Sequence, residues 1–222
     1  MVLRATEGSW STLDWSPDRA KLLVRQYISA TRQGLFVVDI SGQAVAPPQP
    51  LEHGDGDEDD VAVGSALWSV AVAPGTPSIG IGGTAAGKDR SGQVQRGRGG
   101  YFFTSSKGSE FLSLRHASMD GGSDTPGVVS HITTESIKWD VIEMSLSPTG
   151  ELLAFVANEG GAGRIYLMST WDFAFVPIDM SSLPSGVVSS LSFDATGTKI
   201  GFGLDSTMSP GNAYSIALHP GQ

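Results

Sequence analysis

The sequence predicts an all-β fold: a partial β-propeller of about four blade-like units, each an antiparallel sheet. Three observations predict it. A pattern of strand, tight turn, strand, loop and strand, clearest over residues 144–170, returns along the chain. Its apolar runs have the length of strands and are rich in Leu, Val, Ile, Phe and Tyr, which favour extended backbone. The 222 residues include 29 Gly and 12 Pro, the composition of a turn-rich chain rather than a helical one.

The first unit, about residues 9–45, contains Leu13-Asp14-Trp15, the turn signal Ser16-Pro17 and the run Lys21–Val24. Leu35–Ile40 follows as a third strand, ended by Ser41-Gly42. The second unit, about 66–120, is interrupted. Ser69–Pro74 matches the strand before the turn, but its continuation comes only at Gly97–Ser105, with Phe111–His116 as third strand. The Gly-rich polar segment 75–96 reads as an insertion in a hairpin loop. In the third unit, about 137–180, Ser147-Pro148-Thr149-Gly150 makes the turn, because Pro presets φ and Gly tolerates positive φ. The fourth, about 186–219, repeats it with Asp194-Ala195 in place of Ser-Pro, followed by the loop 208–211 and the strand Ala213–Ala217. Ser147 and Asp194 lie 47 residues apart, a spacing within the range of propeller blades. Such a sheet cannot bury its own faces, so each must pack on the next. Four blades are the fewest a propeller uses, so an open arc, whose end sheets expose apolar surface, stands beside a closed ring.

Composition narrows the function. A net charge of −9 and a pI near 4.7 argue against nucleic acid as partner. With no cysteine, disulfides and thiolate metal sites are excluded, in keeping with a cytoplasmic protein. Residues 1–8 carry no apolar signal core and no run reaches membrane-spanning length, so no membrane partner is expected. Strand pattern begins within a few residues of Met1, and the chain is expected to lack its natural beginning.

No motif carries a reaction, and no catalytic, cofactor-binding or metal-ligating residue is assigned. Gly82–Lys88 has the spacing of a phosphate loop, but Asp89 stands where Ser or Thr would meet magnesium, and no strand-to-helix context surrounds it. The acidic run of Glu52, Asp55, Asp57, Glu58, Asp59 and Asp60 lacks the Gly and final Glu of a calcium loop and reads as a solvated link between blades. His53, His116, His131 and His219 show no metal spacing and read as surface residues. Trp10, Trp15, Trp68, Trp139 and Trp171 read as core or inter-blade packing. Gly121-Gly122-Ser123-Asp124-Thr125 lacks the last glycine of a nucleophile elbow.

Several segments together resemble one family. Leu13–Asp18 with Lys21–Val24 is similar to the first blade of the N-terminal propeller in the prolyl oligopeptidase (S9) family, in particular its dipeptidyl-peptidase and acylaminoacyl-peptidase-like members. Tyr101–Phe111 resembles the next blade, Trp139–Glu159 the third, and Leu183–Val188 with Ser209–Tyr214 the fourth. The likeness leaves out residues 46–97, and the individual turns are shared with TolB-like and WD-like propellers. The resemblance implies a longer propeller followed by an α/β-hydrolase domain that carries Ser, Asp and His, with the propeller restricting access to small peptides. On that implication this chain is the non-catalytic part: inactive alone, with the absent hydrolase domain as partner and peptides as substrates of the parent. The alternative is a stand-alone propeller serving as a protein-interaction scaffold.

Overall fold

The computed structural model describes residues 7–41, 49–53, 61–69, 99–119 and 129–218. They form four antiparallel sheets and no helix. The first sheet has the order β1 (Ser9–Trp15), β2 (Lys21–Tyr27), β3 (Gln33–Asp39), β4 (Gln49–His53). The second runs β5 (Val63–Ser69), β6 (Gly100–Ser105), β7 (Ser113–Ser118), β8 (Val129–His131). The third is β9 (Val141–Leu146), β10 (Leu152–Glu159), β11 (Ala162–Ser169), β12 (Phe175–Pro177), and the fourth β13 (Gly186–Phe193), β14 (Lys199–Ser206), β15 (Asn212–Ala217). Every sheet is a meander in chain order. Three sheets gain a fourth strand that the sequence pattern does not display: β4, beyond residue 45, β8, beyond residue 120, and β12, which are short and little amphipathic.

The sheets pack face to face in succession, and the core lies in the three interfaces. Leu23, Leu35 and Val37 of the first sheet meet Trp68, Tyr101 and Phe103 of the second. Phe102 and Leu114 meet Leu153, Phe155 and Met168 of the third. Leu152, Val156 and Ile165 meet Val188, Ile200 and Phe202 of the fourth. β10 therefore buries both its faces, Leu153, Phe155 and Ala157 on one side and Leu152, Ala154 and Val156 on the other. That explains its unbroken apolar run. β14 alternates instead: Ile200, Phe202 and Leu204 are buried, while Lys199, Gly201, Gly203 and Asp205 occupy the other face. The fourth sheet's outer face, continued by Ala213, Ser215 and Ala217 of β15, is thus small and polar rather than apolar, and tolerates water.

The first strands of successive sheets are neighbours, β1 beside β5, β5 beside β9, and β9 beside β13. Meander sheets stacked around their first strands are the blades of a partial β-propeller. Register shifts interrupt each of those strands: Thr12/Asp14 in β1, Val63/Ala66 in β5, opposite Val156/Ala157 in β9, and Ser189/Ser192 in β13. A bulge adds local twist and frees backbone groups from the ladder.

Candidate functional site

The repeated turn is a structural device. Ser147 N–H donates to Leu152 O at 2.8 Å, and the Ser147 hydroxyl accepts from Leu152 N–H at 3.0 Å. Ser16 makes the same pair with Lys21, 2.9 and 2.8 Å. Asp194 makes it with Lys199, 3.0 and 2.9 Å, the carboxylate standing in for the hydroxyl. Hydrogen bonds from Thr196 and from backbone N–H groups hold the Asp194 carboxyl below the ordinary carboxylate range. Three residues into the turn the backbone is left-handed, at Gly150 (φ 77°) and Gly197 (φ 71°), but in the first copy Arg19 takes that place at φ 60°.

Carboxylates tie one sheet to the next through the bulged first strands. Asp14 of β1 accepts from Trp68 N–H of β5 at 2.8 Å. Glu143 of β9 accepts from both N–H groups freed by the β13 bulge, Ser190 at 3.1 Å and Leu191 at 2.9 Å. Asp140, just before β9, accepts from Leu112 N–H of the second sheet at 2.8 Å. These acids are bound to backbone and serve packing.

The two ends of the stack differ. At one, the β9–β10 and β13–β14 turns touch: a Cβ on Gly197 would lie 3.5 Å from Pro148. At the other end, Val61 is bridged to Arg32 of the β2–β3 loop, Val141 N–H donates to Leu112 O at 2.8 Å, and Gly163 approaches Val188. This loop end carries four of the five exposed large hydrophobic side chains among the described residues: Tyr27, Trp139, Val187 and Met208, 42–92% exposed. Trp139 lies over Gly160 and pairs with Phe111 at 6.2 Å. Beside them, between the start of β11 and the link 178–186, opens a cleft of about 520 Å³ lined by Arg164, Ile178, Met180 and Leu183. The Arg164 guanidinium is 3.4 Å from Glu159, which also accepts the Tyr166 hydroxyl hydrogen bond. Burial, and then that carboxylate, push the Tyr166 phenol up to about 12.

A second polar feature lies inside. His116 of β7 is 3% exposed, its ring between Phe102 and Phe173 at centroid distances of 4.7 and 5.2 Å. Ser69 Oγ is 3.1 Å from its Nε2. Burial lowers its pKa to about 4, so the ring is neutral at neutral pH. The pair is a serine beside a potential base, both buried between the second and third sheets among the described residues.

These positions correct two expectations. His116 is a core residue, because Phe111–His116 supplies a strand covered by the third sheet; His131 is exposed at the end of β8. Trp68 is buried, at 6.0 Å from Tyr101, whereas Trp15 and Trp139 are about half exposed, because each sits where a strand meets a turn or link. Residues 75–96 with the phosphate-like loop, the acidic positions 55–60, residues 121–125 and His219 lie outside the described residues. Among the described residues no three His, Asp or Glu side chains converge as a metal site, and no helix is long and apolar enough to cross a membrane.

Geometry thus defines the chain as four blades of a partial propeller, with several large apolar side chains exposed at its loop end. Solved structures with this fold include two peptidases. Over 99% of this chain and 29% of theirs, it is similar to a puromycin-hydrolyzing peptidase of Mycobacterium tuberculosis, with TM-score 0.63 and 13% identity. Prolyl oligopeptidase B of Galerina marginata matches over 94% of this chain and 25% of its own, with TM-score 0.58 and 12% identity. TolB of Acinetobacter baumannii matches over 97% and 42%, with TM-score 0.53 and 16% identity. The chain spans about a quarter of the length of the prolyl oligopeptidases it matches. Its sequence matches no protein-family model and no curated protein.

Proposed function

We propose that this chain is the non-catalytic propeller portion of an S9-like serine peptidase, gating the access of peptides to a hydrolase domain that this chain does not contain. The observation that carries the reading is the fold likeness over 94–99% of this chain to peptidases of which it covers only 25–29%. The ordered blade motifs at Leu13–Asp18, Tyr101–Phe111, Trp139–Glu159 and Ser209–Tyr214 support it from the sequence side. The loop end, with Tyr27, Trp139, Val187 and Met208, is where we place contact with the partner domain. A cytoplasmic location belongs to the same reading, resting on the absence of cysteine.

Assay of the chain on chromogenic aminoacyl dipeptides is expected to show no turnover; turnover abolished by a serine-directed inhibitor would overturn the proposal. Reading the gene beyond Gln222 is expected to reveal Gly-x-Ser-x-Gly followed by Asp and His. A stop codon after further blades would favour a second reading, a TolB-like or WD-like scaffold for protein interaction. The TolB likeness and the apolar loop end support that one.

A further inference from the structure

The polar atoms around His116 are not all satisfied by the chain. His116 and Ser130 are register partners across β7 and β8, so their side chains leave the sheet on the same face, toward the third sheet. Both are almost fully buried, 3% and 1% exposed. Ser69 Oγ occupies one ring nitrogen of His116. The other, Nδ1, and the hydroxyl of Ser130 are buried with no hydrogen-bond partner among the described residues. Leaving two such groups dry is costly, and adjacent buried polar groups that do not reach one another are the usual setting of an internal water. Gly100 helps open the row: it stands between Ser69 and Ser118 in the second sheet and carries no side chain over which the imidazole must pass.

We propose that the interface between the second and third sheets holds one internal water molecule, bonded to His116 Nδ1 and Ser130 Oγ. The water suits either neutral tautomer: it accepts from Nδ1–H while Ser69 donates to Nε2, or it donates to Nδ1 while Nε2–H donates to Ser69. The bonded groups form a polar strip on the second sheet's face, within an otherwise apolar contact that includes Phe102, Phe155 and Phe173.

High-resolution diffraction from crystals of the chain tests the site directly. Density within hydrogen-bond distance of both atoms is expected; a direct His116–Ser130 bond, or an apolar gap between them, would overturn the proposal. In solution, urea melts of Ser130→Ala, His116→Phe and the double variant form a thermodynamic cycle. If one water serves both groups, the double variant melts no earlier than His116→Phe alone. Strictly additive losses would mean that the two groups are satisfied separately, and would reject the shared water even if both single variants are destabilised.

Discussion

Acid should weaken this protein through His116 by an amount that its burial fixes. The imidazole is neutral between Phe102 and Phe173, with a pKa lowered from 6.5 to about 4 by loss of solvent. The unfolded chain takes up the proton as pH falls through 6.5, whereas the folded chain resists until about 4. Over that window the unfolded state binds more protons, so stability drops as pH drops. The shift corresponds to about 3 kcal/mol in full, of which about 2 kcal/mol is lost by pH 5, with a plateau below pH 4. Carboxylates held below their ordinary range by hydrogen bonds, such as Asp18 and Asp194, add their own acid dependence, so the measurement is a difference. Urea unfolding of the wild type and of His116→Phe is followed from about pH 7.5 to about pH 4.5, with free energies from linear extrapolation. Phe keeps the ring contacts and cannot titrate; its effect at neutral pH does not matter, because the slope is what is read. The wild type should lose about 2.5 kcal/mol more than the variant over this range. Parallel curves would refute the reasoning, since they would mean that His116 is open to bulk solvent or charged in the native state.

Three further substitutions test the packing. Arg19→Gly should stabilise by about 1 kcal/mol, because Arg19 occupies at φ 60° the left-handed position that glycine takes at Gly150 and Gly197; a rise in the thermal midpoint checks it. Glu143→Ala should cost about 1 kcal/mol, mainly by orphaning the part-buried Leu191 N–H, since water can reach Ser190, and Glu143→Gln about half that, as one acceptor remains; equal losses in urea melts would contradict the two-bond role. Gly163→Ala should cost about 2 kcal/mol or more, since the added methyl would lie 2.7 Å from Val188 and force the third and fourth sheets apart. Val188→Ala in the same background should not recover that loss, because the Val188 Cβ and backbone nitrogen that the methyl meets remain in alanine; full recovery would show that only the Val188 methyls resist it.

Much of the fold is legible because blade strands are short, regular and locally punctuated. Ser147-Pro148-Thr149-Gly150 announces its hairpin, and Asp194 keeps the same geometry because any side-chain oxygen at that site can accept from the N–H five residues on. The third and fourth sheets differ visibly in their second strands: Leu152–Ala157 is apolar throughout, as a sheet covered on both faces requires, while Lys199–Asp205 alternates. The candidate surface is less legible. Tyr27, Trp139, Val187 and Met208 are scattered over 182 residues of chain and share an end only because each lies at the same extremity of its meander.

By itself, then, the sequence determined the all-β class, the turns, the strand polarity and the absence of cysteine chemistry, all of which depend on neighbours within a few residues. Tertiary structure alone decided the fourth strands β4, β8 and β12, the burial of His116 against Ser69 and Phe173, the exposure of Trp15 and Trp139, and the carboxylate ties between sheets. Those features depend on which faces meet across the interfaces. Partners such as Glu143 and Leu191, 48 residues apart, are brought together by the stacking of one blade on the next and carry no mark in local pattern.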